Sequence, residues 1–122
     1  MRLAACTLLL ACALASPSSY AADSGGAPPG DAQRGKAIYL EQLCQACHGT
    51  VGQGGERGAG PHIAPDPWPY AAFAHQVRKP RQAMPPYTAN VLSEQGLADI
   101  HAYLRSIKHG PAAKDLPLLS GF

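Results

Sequence analysis

The 122-residue sequence predicts a mostly α-helical domain of three to four helices joined by long loops rich in glycine and proline. Apolar residues recur at helical spacing in several segments, whereas the strict alternation of a strand is almost absent. The 13 glycines and 12 prolines gather mainly between those segments. Loops of this length are unusual in a small domain unless a bound non-protein group occupies its centre.

The first residues have the layout of a secretory signal peptide. An apolar run over residues 3–15 follows one arginine and precedes a stretch of small residues. It is shorter than the roughly 20 residues that a membrane-spanning helix needs. We expect a signal peptide over residues 1–21, cleaved after Ala21 or Ala22, and therefore a periplasmic protein. A lipoprotein signal that ends in acylation of Cys12 is the second interpretation.

Removal of the leader changes the cysteine and charge counts. Cys6 and Cys12 leave with it, so Cys44 and Cys47 are the two of four cysteines that remain. A disulfide between such close neighbours closes a very small loop and stabilises little. Without Arg2, nine Lys and Arg balance eight Asp and Glu. This balance argues against a nucleic-acid binder, which needs a dense basic surface. We expect no transmembrane segment in the mature chain.

The helical domain is expected over residues 31–110, after a flexible lead-in at 22–30. Asp31 can cap a first helix that runs toward Cys44, with Tyr39 and two leucines on one side. A glycine-rich loop follows over residues 49–61. A short helix is expected after Pro69, where the apolar residues share a face, and Pro80 ends it; those residues are Tyr70, Phe73 and Val77.

The last helix has the strongest signals. Ser93 is its expected cap, with Leu92 and Leu97 placed as a hydrophobic staple. Gly110 and Pro111 are expected to end it. An apolar stripe along it is expected to pack in the core and comprises Leu97, Ile100, Leu104 and Ile107. The remaining residues, 111–122, read as an extended tail.

The stretch CQACHG, which holds Cys44, Cys47 and His48, has three interpretations. A zinc site needs a second pair of ligands at tight spacing, but the other histidines are scattered. A thioredoxin-like dithiol expects a strand before it, which this sequence lacks. Cys-x-x-Cys-His is the signature of c-type haem attachment, with the two thiols bonded to the porphyrin and the imidazole on the iron. The export signal favours this third interpretation.

Met84 is the candidate for the second axial position on the iron. Histidine and methionine are the usual choices there, and Met84 is the only methionine after processing. Pro85 and Pro86 disfavour helix and hold the segment RQAMPPY extended. The alternative is that Met84 fills the core, which is the commoner role of methionine.

These stretches together make the chain resemble a class I c-type cytochrome of the small bacterial kind. The resemblance runs from about Asp31 to Ile107 through GKAIYLEQLCQACHG, GPHIA, RQAMPPY and LADIHAYLRSI. It implies one haem c, attached through Cys44 and Cys47, and a carbonyl of Pro61 that accepts a hydrogen bond from the His48 ring.

The resemblance also implies that the first and last helices cross. Gly35 and Tyr39 would meet Ile100 and Tyr103 there. In one departure from the family pattern, Tyr39 lies five positions before Cys44, where in many relatives the aromatic residue lies four positions before the cysteine.

The implied function is single-electron transfer in the periplasm by a His/Met-ligated haem iron, since two protein ligands leave no open position for substrate. The expected partners are redox proteins: a dehydrogenase as donor and an oxidase or reductase as acceptor. A haem subunit fixed to a periplasmic dehydrogenase, docked through the tail, is the alternative. A gas-binding or peroxidatic haem protein is a third, and it requires Met84 to be off the iron.

Other candidate residues surround this expected site. Arg57 and Trp68 are candidates to donate to the haem propionates. Arg78, Lys79 and Arg81 lie near Met84, where they are either ordinary surface charges or a steering patch for an acidic partner. An apolar pocket is expected to include Ile63, Trp68, Phe73 and Val91.

Overall fold

The computed structural model describes residues 26–111 and 115–117, so the expected signal peptide, Cys12 and most of the expected tail lie outside the described residues. In these two ranges the chain forms four α-helices, one 3-10 helix and no strand, which confirms the mostly helical prediction. They are α1 (Ala32–Glu41), α2 (Gln45–His48), the 3-10 helix (Glu56–Gly58), α3 (Tyr70–Arg78) and α4 (Glu94–Ser106). Within the same ranges, no helix combines the length and hydropathy that crossing a membrane requires.

Side-chain caps begin the first and the last helix as expected. The Asp31 carboxylate accepts the backbone N–H of Arg34 at 2.8 Å at the start of α1. The Ser93 hydroxyl oxygen accepts the N–H of Gly96 at 3.0 Å at the start of α4. Each bond satisfies a donor that has no partner within its helix. Helix α3 follows Pro69 and ends at Arg78, two residues before Pro80.

The expected end of α4 at Gly110 is wrong, because the helix ends at Ser106. The Ser106 hydroxyl donates to the Tyr103 carbonyl oxygen at 2.6 Å and so gives the last turn a side-chain partner. Ile107 already has extended backbone, with φ −69° and ψ 130°. The Gly-Pro pair marks where a helix can no longer continue, and here the chain leaves the helix four residues earlier.

Helices α1 and α4 cross in close contact and form the centre of the core. Gly35 lies against the α4 backbone, and a Cβ atom at this position would collide with the Asp99 carbonyl group. One turn further along α1, the rings of Tyr39 and Tyr103 pack with centroids 5.5 Å apart at 58°. The expected crossing is confirmed, and Tyr39, Leu97 and Leu104 are fully buried around it.

A buried carboxylate ties the start of α1 to α4. Asp99 accepts hydrogen bonds from the Arg34 guanidinium at 2.8 and 2.9 Å and from the Asp31 backbone N–H at 2.7 Å. The Gln95 amide is a further donor at 3.0 Å. Burial alone would raise the pKa of Asp99, but these donors more than offset it and the pKa lies below its ordinary value. The carboxylate therefore stays ionised and joins the two helices.

Helix α3 packs on α4 around His101. The His101 ring lies 5.1 Å from that of Phe73 and 5.5 Å from that of Tyr70. Burial lowers the pKa of His101, so the neutral imidazole is favoured. Its Nε2–H donates to the Trp68 carbonyl oxygen at 2.9 Å. This bond holds the chain before α3 against α4.

Candidate functional site

The short helix α2 carries the Cys-x-x-Cys-His motif, and one residue before it adapts to the unusual spacing. Leu43 has a φ of 58°, and its N–H donates to the Leu40 carbonyl oxygen. The N–H of Cys44 then donates to the Tyr39 carbonyl oxygen at 3.1 Å, across five residues. The extra residue between Tyr39 and Cys44 is thus taken up in a left-handed turn, so Tyr39 stays in the helix crossing.

The two cysteine thiols have different surroundings. Cys44 is half-buried, and burial raises its pKa to about 11. Cys47 is exposed. A dithiol that works by exchange needs a thiolate at neutral pH, which a lowered pKa supplies. The raised pKa of Cys44 means that Cys44 itself does not supply such a thiolate.

The His48 ring is oriented by the loop that follows it. Its Nδ1–H donates to the Pro61 carbonyl oxygen at 2.9 Å, because that oxygen can only accept. The bond leaves Nε2 as the nitrogen with a free lone pair. Gly60 lets the loop pass this closely, since a Cβ there would lie 2.6 Å from the Cys47 carbonyl oxygen and 3.1 Å from His48 Nδ1.

His48, Cys44 and Met84 all line a single apolar cleft. Apolar and aromatic side chains from α1, α3, α4 and the loops form the rest of its wall: Tyr39, Ile63, Phe73, Val77, Tyr87, Leu92, Leu97, Ile100 and Leu104. Ile63 and Phe73 were expected in this pocket. Trp68 and Val91 were expected too, but they are not among the lining residues, and their side chains are exposed.

Tyr87 is a cleft residue that sequence reasoning missed. Its hydroxyl donates to the Gln42 carbonyl oxygen at 2.9 Å, which joins the Met84 loop to the segment just before Cys44. Its backbone N–H donates to the Val77 carbonyl oxygen at 3.1 Å. A tyrosine directly after Met-Pro-Pro was the available signal, because a tyrosine can line an apolar wall and still anchor its polar end.

Arg78 does not belong to the exposed basic patch in which the sequence placed it. Its side chain is 19% exposed and makes an ion pair with Glu94 at 2.7 Å. It also donates to two backbone carbonyl oxygens, those of Tyr87 and Leu92. Lys79 and Arg81 are exposed, so they are the members of the expected steering patch that remain free to meet a partner.

Arg57 and Trp68 lie away from the cleft wall. Arg57 is exposed within the 3-10 helix and has a φ of 55°. Trp68 is 62% exposed, and its carbonyl oxygen is the acceptor of His101. The contact of either residue with a haem propionate stays a prediction.

The chemistry of the donor set fits a haem. An imidazole whose Nδ1 is already committed and a soft thioether are ligands that haem iron accepts. Both line a cleft whose walls are apolar, which is the chemistry that an apolar group such as a haem needs, and Cys44 lines the same cleft. The residues described here contain no group of three or more His, Cys, Asp and Glu that could hold a metal ion, so nothing supports a zinc site.

Comparison with known proteins supports the same interpretation. Residues 30–104 match the family model described as "Cytochrome C oxidase, cbb3-type, subunit III". Among curated proteins, cytochrome c-555 of Methylococcus capsulatus is 33% identical over 78 residues, which cover 62% of this chain and 62% of the relative. The chain thus spans less than two thirds of the length of that relative. No solved structure gives a significant match.

Proposed function

Because the chain belongs to the cytochrome c family, whose members carry covalently bound haem c and transfer electrons, we propose how its own residues serve that role. Cys44 and Cys47 attach one haem, and His48 and Met84 ligate its iron. The observation that carries the proposal is the single apolar cleft lined by both Met84 and His48, whose Nδ1 is already bonded to Pro61.

His48 acts as the ligand on the attachment side. Its bond to the Pro61 carbonyl oxygen fixes the tautomer, so that the Nε2 lone pair is available without a proton having to leave. The same bond makes the ring a better electron donor to a metal. Gly60 keeps the loop that carries Pro61 close to the ring.

Met84 supplies the second ligand and sets the balance between the two oxidation states. When bound, the haem supplies a one-electron couple between ferric and ferrous iron. A thioether favours the ferrous state more than a second imidazole would. The apolar wall of the cleft acts in the same direction, because it penalises the additional positive charge of the ferric state.

The attachment segment reaches the protein surface, which gives electrons a short route in and out. Leu43, Ala46 and Cys47 are all exposed. A partner that docks there would lie beside Cys47, one of the two residues that would hold the haem. With the predicted signal peptide, we propose that this exchange takes place in the periplasm, between a dehydrogenase and an oxidase or reductase.

Substitution of Met84 tests the proposal. Wild-type holoprotein should show the ferric sulfur-to-iron charge-transfer band and bind carbon monoxide slowly. Met84→Ala should lose the band and bind carbon monoxide readily, and Met84→His should stay low-spin with a lower reduction potential, since imidazole stabilises ferric iron better than sulfur does.

The matched control is His62→Ala, which removes the exposed histidine beside Pro61. We expect it to leave the band and the carbon monoxide kinetics unchanged. A wild-type protein that lacks the band and already binds carbon monoxide quickly would refute Met84 ligation and favour the gas-binding or peroxidatic alternative.

A second candidate function is that of a haem subunit fixed to a larger oxidoreductase. The observation in its favour is the matching family model, whose description names an oxidase subunit. A periplasmic dehydrogenase is the other complex of this kind. Stoichiometric copurification of a catalytic polypeptide would favour the subunit, and a monomeric holoprotein in gel filtration would favour the diffusing carrier.

A further inference from the structure

We propose that Arg78 is a positioning residue that holds the Met84 loop, residues 79–92, so that the Met84 thioether stays on the haem iron. The inference rests on the proposed function, since it concerns the strength of Met84 ligation. It assigns to Arg78 a role inside the protein, in place of the partner-docking role that its position in the sequence suggests.

The Arg78 guanidinium joins three points of the chain. Its Nη1 donates to the carbonyl oxygens of Tyr87 at 2.8 Å and of Leu92 at 2.7 Å. Its Nη2 donates to Glu94 Oε1 at 2.7 Å, in the first turn of α4. Arg78 itself is the last residue of α3. One side chain therefore connects the end of α3, the far end of the loop and the start of α4.

Tyr87 is the anchor of the loop closest to Met84. Its N–H is held by the Val77 carbonyl oxygen and its carbonyl oxygen by Arg78, so both of its backbone polar groups bond to the last turn of α3. Gln82 and Ala83 form a turn directly before Met84. The position of Met84 therefore depends on this turn, on the stiffness of Pro85 and Pro86 and on the anchor at Tyr87.

Two residues whose carbonyl oxygens Arg78 holds, Tyr87 and Leu92, also line the cleft. Val77 and Met84 line the same cleft. A shift of Tyr87 or Leu92 away from α3 would widen the cleft at this side and move the thioether. The first expected result of losing Arg78 is thus a weaker bond from Met84 to the iron, before any loss of the helical core.

Arginine suits this role better than lysine does. The guanidinium presents five donors in a planar fork, and at 19% exposure it can satisfy three acceptors with little water in between. Hydrogen bonds from charged donors are roughly twice as strong as neutral ones. A lysine ammonium keeps the charge, but its donors all lie on one nitrogen, so it cannot reach the same three acceptors from two separate nitrogens as the guanidinium does.

The test measures competition for the Met84 position in the holoprotein. Imidazole is titrated into ferric wild-type protein and into Arg78→Leu under conditions where both are fully folded, and the charge-transfer band is followed. We expect Arg78→Leu to bind imidazole about ten- to a hundredfold more tightly, given the usual strength of hydrogen bonds to charged groups. Arg78→Lys should show a smaller, severalfold increase in imidazole affinity. If Arg78→Leu does not fold, the comparison of Arg78→Lys with wild type is the test.

Three controls separate positioning from charge and from general stability. Glu94→Gln removes the ionic partner but leaves both carbonyl bonds, and Arg105→Leu removes an exposed arginine from the last turn of α4. Both should bind imidazole as wild type does. Tyr103→Phe weakens the fold away from the Met84 loop. If its imidazole affinity rises as much as that of Arg78→Leu, the effect comes from lower stability and the proposal is overturned.

The possible failures are distinguishable. Wild-type protein without the charge-transfer band would refute Met84 ligation, and the role of Arg78 with it. Wild-type protein that has the band, together with Arg78 variants of unchanged imidazole affinity, would refute the role of Arg78 alone.

Discussion

The crossing of α1 and α4 and the two long loops around the cleft are held together by different kinds of interaction. At the crossing, side chains are fully buried and Gly35 brings the two backbones into contact. The loops, residues 49–69 and 79–92, contain one short 3-10 helix between them. Their shape depends on backbone hydrogen bonds and on side chains that bond single backbone carbonyl groups.

The donors to those carbonyl groups come mainly from the helices. Tyr39 and Tyr103, which pack ring to ring at the crossing, donate to the adjacent carbonyl oxygens of Gly49 and Thr50 at 2.7 and 2.9 Å. His101 and Arg78 hold the loops in the same manner. The comparison teaches that buried packing holds the crossing, whereas polar bonds within the loops and from the helices hold the segments around the cleft.

The largest expected effect is at the crossing itself. Gly35→Ala places a Cβ against the Asp99 carbonyl group, a backbone atom that cannot move aside without separating the helices. We expect the free energy of unfolding to fall by about 3 kcal/mol or more, as for severe overpacking. Urea denaturation of the holoprotein measures it.

Gly110→Ala is the matched control, because a Cβ there meets no atom within 4 Å. It should change stability by less than about 0.5 kcal/mol. Alanine is favoured over glycine inside a helix by about 1 kcal/mol. A neutral or stabilising Gly35→Ala would therefore contradict the close contact of the two helix backbones at Gly35.

A smaller effect is expected where the crossing holds a loop. Tyr103→Phe keeps the ring against Tyr39 but leaves the Thr50 carbonyl oxygen without its donor. We expect a loss of about 1 kcal/mol, with faster amide exchange in the 49–55 segment than at the helix crossing. Hydrogen exchange followed residue by residue measures it.

Tyr70→Phe provides the comparison for this loss. The Tyr70 hydroxyl lies 3.5 Å from the Glu94 carbonyl oxygen, beyond the usual length of such a bond. Tyr70→Phe should therefore lower the free energy of unfolding only slightly. Equal losses in the two variants would mean that the Thr50 bond contributes nothing specific to the loop.

The smallest expected effect is the pH dependence that His101 contributes. Its pKa is lowered in the folded state, so the unfolded state binds more protons as the pH falls below about 6.5. The contribution of neutral His101 to the free energy of unfolding is therefore complete above that pH. Below it, the free energy of unfolding declines by less than about 1.4 kcal/mol per pH unit.

His101→Gln keeps a possible donor for the Trp68 carbonyl oxygen but does not titrate. The difference in unfolding free energy between wild type and this variant should narrow as the pH falls from 7 to 5. His75→Gln alters an exposed histidine of α3 and should reproduce the wild-type profile. An unchanged difference across that range would mean that His101 is not held neutral by its contacts with α3.

Much of this protein is determined by short sequence signals that act locally. The caps at Asp31 and Ser93 are single side chains bonding their own helix starts, so their positions follow from residue type and spacing. The Cys-x-x-Cys-His motif brings its three groups together within one helical turn. The resemblance to class I c-type cytochromes implied the crossing at Gly35 and Tyr39, which the structure bears out.

Only the tertiary structure decided the roles that depend on residues distant in the chain. In the sequence, Arg78 stands among basic neighbours and reads as a surface charge, but the fold turns it toward acceptors nine, fourteen and sixteen residues away. Trp68 and Val91 looked like pocket residues from their hydrophobicity, yet they are exposed. The physical reason is that a loop without periodicity gives no rule for which way a side chain points, so contacts with the surrounding helices decide it.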